Sequence, residues 1–267
     1  MTKDAPIGVF DSGVGGLTVV REIIRQLPSE NVVYFGDTAR LPYGSKSKDT
    51  IISYSKQIIH FLRTKNVKAV VVACNTASAC ALDAIAPDLD LPIIGVVRPG
   101  AIMAAKATVN LRIGILGTES TIGSGIYTTF LQDLNPSITV FGKACPLFVP
   151  LVEEGMLNDP VTDEMAARYL KTIKAVGADT LILGCTHYPL IRSTIRRLMG
   201  AGVNLINPAY ETAVSLRKML IAENIYREEG HPVYEFYVSD GAEKFSAFAN
   251  SILPVKLKET HLVTLGE

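Results

Sequence analysis

Nine short apolar runs alternate along the chain with stretches of helical spacing. They are PIGVF (6–10), NVVYF (31–35), KAVVVA (68–73), LPIIGVV (91–97), LRIGIL (111–116), SITVF (137–141), DTLILG (179–184), VNLI (203–206) and YEFYV (234–238). Most are wholly apolar rather than alternating, which predicts strands buried on both faces. Leu17, Val20, Ile24 and Leu27 share one helical face, and Ile51, Ser55, Ile58 and Leu62 form another that is apolar except for the serine. Strands alternating with helices predict an α/β fold whose mostly parallel sheets are covered on both sides, giving three-layer units. Ligands in such folds sit at the carboxyl ends of the strands.

The pattern also repeats. IGVFDSG (7–13) resembles IGILGTE (113–119), VYFG (33–36) resembles TVFG (139–142), VVVACNT (70–76) matches LILGCTH (181–187), and VVRP (96–99) loosely matches LINP (205–208). Shared α/β composition is the plainer explanation of any one pair. Four pairs in the same order at nearly constant offset favour duplication. The expectation is two pseudo-symmetric α/β domains, residues 1–97 plus 209–267 and residues 98–208, with an active site in the cleft between them. The tail from about residue 209 reads as helix, strand and helix, has no counterpart in a second repeat, and is expected to pack back onto the first domain. Under this alignment Cys74 and Cys185 end the third strand of each half and face one another across the cleft.

Composition narrows the classes. The 267 residues are 48% hydrophobic and 19% charged, a globular balance. Lysine plus arginine equals aspartate plus glutamate, 26 of each, so nothing points to nucleic acid or a membrane surface. The apolar runs are too short to span a bilayer. The start, MTKDAPIGVF, lacks the long apolar core of a signal peptide, so a cytoplasmic location is expected. The four cysteines, Cys74, Cys80, Cys145 and Cys185, would then sit in a reducing compartment, against a disulfide framework. None forms a C-x-x-C pair, against a structural zinc site. Thiol chemistry is left.

Cys74 and Cys185 each precede a helix start: Asn75 or Thr76 is suited to cap the first, and Pro189 fits the first turn of the second. A helix N-terminus lowers a thiol's pKa from about 8.5 toward neutrality. Two such thiols on opposite sides of a small ligand suit base and acid roles, one thiolate removing a proton and one thiol delivering a proton to the other face. The matching reaction is racemisation or epimerisation of a carbon acid. Against this stands the reading of any buried cysteine as inert core, which we adopt for Cys80, inside a helix among alanines, and for Cys145.

The turn FDSGVGG (10–16) allows two readings. It follows a strand as nucleotide-binding loops do, and Asp37 ends the next strand as a ribose-binding acid would. Yet it is not G-x-G-x-x-G, there is no Walker A lysine, and Asp11 would repel a pyrophosphate. Asp11 is better oriented toward a substrate ammonium or a nearby acid proton, with Ser12 a donor to a carboxylate; a purely turn-shaping role is the alternative. His187 lies within reach of Cys185 and is suited to exchange protons with it, or is a plain helix-start histidine. The loop RLPYGSKS (40–47) offers backbone N–H groups to an anion or is a surface loop. One of Glu153 and Glu154 enters the cleft, or both are solvated. Arg98 binds an anion or an inter-domain partner and stays unassigned. Pyridoxal chemistry would need a Schiff-base lysine, and Lys143, the only one just past a strand, reads as surface.

Taken in order, GVFDSGVGGLTV, YFGDTARLPYG, VVACNTASA, ACPLFVPLVE and GCTHYPL resemble the bacterial glutamate racemase family, within the aspartate/glutamate racemase superfamily, across essentially the whole chain. The resemblance implies two pseudo-symmetric domains, no cofactor and no metal. It implies interconversion of L- and D-glutamate, supplying D-glutamate for peptidoglycan. It makes Cys74 and Cys185 the catalytic pair, acting on the D and L faces respectively. By the same matching, Asp11, Ser12, Pro42, Tyr43, Gly44, Asn75, Thr76, Thr186 and His187 contact substrate or support the thiols, joined by Thr118, Thr121 and Glu153. A homodimer fits such enzymes, though the sequence marks no decisive exposed patch. Racemisation of another acid such as aspartate, a catalytically silent amino-acid sensor and a dinucleotide enzyme remain the competing readings.

Overall fold

The structure, a computed structural model, describes residues 2–266. Its first four strands, β1 (Ile7–Asp11), β2 (Val32–Gly36), β3 (Ala69–Val72) and β4 (Ile93–Gly95), lie in one sheet. The next four, β5 (Arg112–Gly117), β6 (Thr139–Ala144), β7 (Thr180–Gly184) and β8 (Asn204–Ile206), form a second. The last two, β9 (Tyr234–Val238) and β10 (His261–Leu262), return to the first. The strand orders are β10-β9-β2-β1-β3-β4 and β6-β5-β7-β8, so both sheets contain the same four-strand arrangement. Every pairing is parallel. This is the pseudo-symmetric α/β fold expected from the repeated pattern.

The apolar runs make these strands because both sheet faces are buried. Alternate residues of a strand point to opposite sides. Ile7, Val9, Val32, Tyr34 and Val71 thus join one core with Leu17, Val20 and Ile24 of the helix Leu17–Gln26. Phe10, Val33, Phe35, Val70 and Val72 join the other with Ile51, Ile58 and Leu62 of the helix Lys48–Thr64. Ser55, the one polar residue on that helical face, is buried and donates to the Ile51 carbonyl at 2.7 Å, which removes the cost of its burial. In the second sheet Ile113, Ile115 and Ile182 pack against the helices Val97–Ala107 and Ile126–Leu134, while Leu116, Leu181 and Leu183 pack against the helices Pro160–Ala175 and Arg192–Met199.

The tail behaves as its pattern suggests: β9 adds in parallel to β2, in register from Val32↔Tyr234 to Gly36↔Val238. The helix Pro208–Ala222 packs Ala213, Leu216 and Leu220 into the first sheet's core. On this topology we propose the division into residues 1–97 plus 209–267 and residues 98–208; the end residues 1 and 267 lie outside the described residues.

Two local expectations are corrected, and one strand is added. The run 91–97 holds strand only over Ile93–Gly95, and Val97 already starts a helix. The stretch after Cys74 is not one helix: it breaks at Ala81 into Asn75–Cys80 and Leu82–Ile85, so Cys80 ends a helix rather than lying inside it. And β10, a two-residue edge pairing, has no apolar run to announce it.

Candidate active site

Cys74 lies two residues beyond β3 and itself caps the helix Asn75–Cys80, its Sγ accepting from the Ala77 amide at 3.4 Å. The sulfur takes the capping position for which sequence favours Asn75 or Thr76, and both polar side chains are left for other partners. The helix does not make this thiol acidic. Burial pushes the Cys74 thiol far above its ordinary range, and the Asp11 carboxylate adds to that, outweighing the Ala77 N–H and the Ser12 hydroxyl. The latter lies 3.8 Å from the sulfur.

Asp11 ends β1 and is completely buried. Its Oδ2 accepts from the amides of Gly13 (3.1 Å) and Gly16 (2.9 Å), while Oδ1 has no hydrogen-bond partner among the described residues. Burial raises its pKa; the His187 charge and the turn's N–H groups offset this in part. The glycine-rich turn is a poor phosphate cradle, because the Gly13 and Gly16 N–H groups are committed to Asp11, whose carboxylate lies within it. Gly15 has a different reason to be glycine: a Cβ there would stand 2.3 Å from Thr186 Oγ1 and 2.5 Å from the His187 ring. Its missing side chain lets the two halves meet. Asp37 is no ribose ligand either. It is buried and accepts from Arg40 Nε (2.7 and 2.9 Å), the Tyr43 hydroxyl and Ser239 (3.0 Å), which fastens the loop bearing Pro42, Tyr43 and Gly44.

Cys185 follows β7 directly. No α-helix starts on it: Thr186 and His187 lead into a 3-10 turn, Tyr188–Ile191, and the helix begins at Arg192. Its immediate polar neighbour is His187, with Nδ1 3.7 Å from Sγ, while Nε2 lies 3.0 Å from Glu153 Oε1. Burial works against the imidazolium, but hydrogen bonds to Cys185 and Glu153 and their negative charge outweigh it and push His187 up to about 10. Burial opposes the Glu153 carboxylate as well, and the His187 contact reverses this and lowers its pKa.

Both cysteines line one cavity of about 360 Å³, the small end of the range for small-molecule sites. The first sheet's side supplies Ser12, Pro42, Tyr43, Gly44, Asn75 and Thr76; the second's supplies Thr118, Glu153, Thr186 and His187. Asp11 and Thr121 stand behind this lining. Thr121 is buried and shares hydroxyl contacts with Thr76 (3.3 Å) and Thr118 (3.0 Å), which are 2.9 Å from each other. Pro146, Val149 and Pro150, within the ACPLFVPLVE stretch but given no role there, form an apolar wall, and Glu119 joins the lining. A neighbouring hollow of about 410 Å³ shares Leu41 and Glu153 but touches neither thiol.

The remaining candidates lie elsewhere. Arg98 is exposed and off the cavity. Lys143 reaches toward the Tyr169 ring, 5.6 Å from its centroid. Glu154 is exposed and paired with Lys244. Cys145 is buried outside the cavity, its thiol pushed up to about 12 by burial, and Cys80 is half-buried. Among the described residues no group of three His, Cys, Asp or Glu side chains is placed to hold a metal ion, and no helix is long and apolar enough to cross a membrane.

Two thiols from matching strand ends of two like-ordered sheets, lining one small cavity, are the arrangement of a racemase-type isomerase. Residues 7–216 match the Asp/Glu/hydantoin racemase family, and the chain belongs to that family. It is 46% identical over 262 residues to a glutamate racemase of Geobacter metallireducens, covering 97% of this chain and 96% of that protein. A crystal structure of a glutamate racemase isoform from Bacillus anthracis superposes with a TM-score of 0.96 at 39% identity, covering 98% of both chains. A glutamate racemase from Francisella tularensis, solved in complex with D-glutamate, gives 0.92 at 36% identity, again covering 98% of both.

Proposed function

We propose that this chain interconverts L- and D-glutamate by carrying the α-proton between two thiols without an added cofactor, and so supplies D-glutamate for peptidoglycan. The observation that supports this reading is that Cys74 and Cys185, each from the end of a strand in a different sheet, line one small cavity. In the L-to-D direction the Cys185 thiolate takes the α-proton and the Cys74 thiol gives its proton to the opposite face. The pair then stands reversed, with Cys185 protonated and Cys74 a thiolate, and the D-to-L direction restores it.

The α-proton of an amino acid is a very weak acid, so the site must stabilise developing negative charge next to the carboxylate. Donors suited to the substrate carboxylates are the side chains of Ser12, Asn75, Thr76, Thr118 and Thr186 and the loop carrying Tyr43 and Gly44. Asp11, with one buried oxygen unpartnered among the described residues, suits the retained ammonium or the proton of Cys74. His187 stands where a proton passes to and from Cys185, and Glu153 holds its far nitrogen. Closure of the cleft would strip water from the thiolate and strengthen it as a base. A cytoplasmic location and assembly as a homodimer complete the proposal.

A chiral assay tests it: L-glutamate incubated with the protein and no cofactor should yield D-glutamate up to an equal mixture, and L-aspartate treated the same way should stay unconverted. Absence of D-glutamate, or faster conversion of aspartate, would overturn the assignment.

A further inference from the structure

We propose that Tyr127 is a positioning residue for this reaction, holding the Asn75 amide so that only its NH₂ group faces the cavity. The inference rests on the reading that Asn75 meets a substrate carboxylate. Tyr127 lies on the helix Ile126–Leu134, which packs on the second sheet, and Asn75 opens the helix that follows Cys74 on the first. The Tyr127 hydroxyl donates to Asn75 Oδ1 at 2.8 Å, so the contact crosses from one half to the other at the residue next to Cys74. Both residues are buried, at 2% and 4% exposure, and Asn75 lines the cavity.

An amide side chain has two nearly isosteric orientations, one presenting donors and the other an acceptor. Turned with its oxygen to the cavity, Asn75 would repel a carboxylate. The same turn would leave the Tyr127 hydroxyl, whose single protein partner among the described residues is Asn75 Oδ1, as a buried donor without an acceptor. Burial and the nearby Cys185 raise the Tyr127 pKa, so this hydroxyl keeps its proton and donates. Tyr127 thus makes Asn75 a one-way donor, a polarity that matches an anion. The opposite crossing exists as well: the Thr18 hydroxyl, on the first half, shares its proton between the Thr186 and Gly15 carbonyls, each at 2.9 Å. The residue directly after each active-site cysteine is therefore gripped from the other half, and neither Tyr127 nor Thr18 touches the cavity.

The test is a double-mutant cycle on the full chain, with kcat and KM for glutamate measured for the wild type, Tyr127→Phe, Asn75→Ala and the double variant. Tyr127→Phe should lower kcat/KM about tenfold, chiefly through KM, with the same ratio in both reaction directions. On the Asn75→Ala background it should change kcat/KM by less than about twofold, because no amide is left to orient. An equal loss on both backgrounds would show a merely structural effect and overturn the proposal, as would an unchanged KM in Tyr127→Phe. A third variant, Asn75→Asp, leaves Tyr127 in place and stands in should Tyr127→Phe fail to fold. It should bind glutamate more weakly than Asn75→Ala, because Tyr127 then pins a carboxylate whose other oxygen faces the substrate; equal or better binding overturns the proposal. A wild type that does not racemise glutamate would instead refute the underlying functional reading, and the inference with it.

Discussion

Glu153 Oε1 lies 3.0 Å from His187 Nε2, on the edge of the ring opposite the 3.7 Å contact between Nδ1 and Cys185 Sγ. Cys185 therefore sits at the end of a sulfur–imidazole–carboxylate chain. Cys74 has no such chain: its neighbours are the Ser12 hydroxyl, the Ala77 amide and the charge of Asp11. The two halves share a strand order, yet they present their thiols in different electrostatic surroundings. Burial beside the Asp11 carboxylate favours the thiol form at Cys74, whereas Cys185 has an imidazole as its polar neighbour. That asymmetry gives the two thiols different groups with which to exchange protons.

The imidazolium can be read through stability. His187 has a folded-state pKa of about 10, above the unfolded value of about 6.5. Its contribution is therefore full below about pH 6.5 and is lost as pH rises toward 10. Replacing His187 by Gln should lower the melting temperature most at about pH 6, and the gap to the wild type should close as pH approaches 10. A gap that widens with pH would mean that the histidine is neutral in the folded protein.

Gly15 provides a purely steric probe. A Cβ at 2.3–2.5 Å from Thr186 and His187 forces those side chains to move, because real Cβ atoms do not approach so closely. Gly15→Ala should reduce kcat by about 10²-fold through misplacement of the residues beside Cys185. Steady-state kinetics together with the melting temperature separate this loss from unfolding.

Cys74→Ser and Cys185→Ser each replace a thiol by a far weaker acid. Each should lower kcat/KM by at least about 10²-fold. The enantiomers have equal free energy, so the residual kcat/KM must be the same from L- and from D-glutamate. Full activity in either variant would remove that cysteine from the mechanism.

Much of this was legible in the sequence where burial dictated residue type. β1, β3 and β7 are buried along their whole length, which demands the apolar runs IGVF, AVVV and LIL and leaves polar side chains only at strand ends. The repeat then exposed Cys74 and Cys185 as equivalent positions. Short apolar runs do not distinguish strand from buried helix, which is why Val97 reads as strand and turns out to be helical. β10 pairs through two residues at an edge, with no pattern to detect. Tyr127 and Thr18 carry no motif, because what matters about them is a partner in the other half of the chain. The cap made by Cys74 Sγ was hidden for a similar reason: Asn75 and Thr76 are the better capping residues by type, and only the backbone placement gives the position to sulfur.

Racemisation in deuterated water tests the two-thiol account most directly. At low conversion of L-glutamate, the D-glutamate formed should carry deuterium at the α-carbon, because the delivering thiol has exchanged with solvent, while unreacted L-glutamate keeps its protium. D-glutamate that retains the original α-hydrogen would contradict the account, since it would mean that one group both removed the proton and returned it.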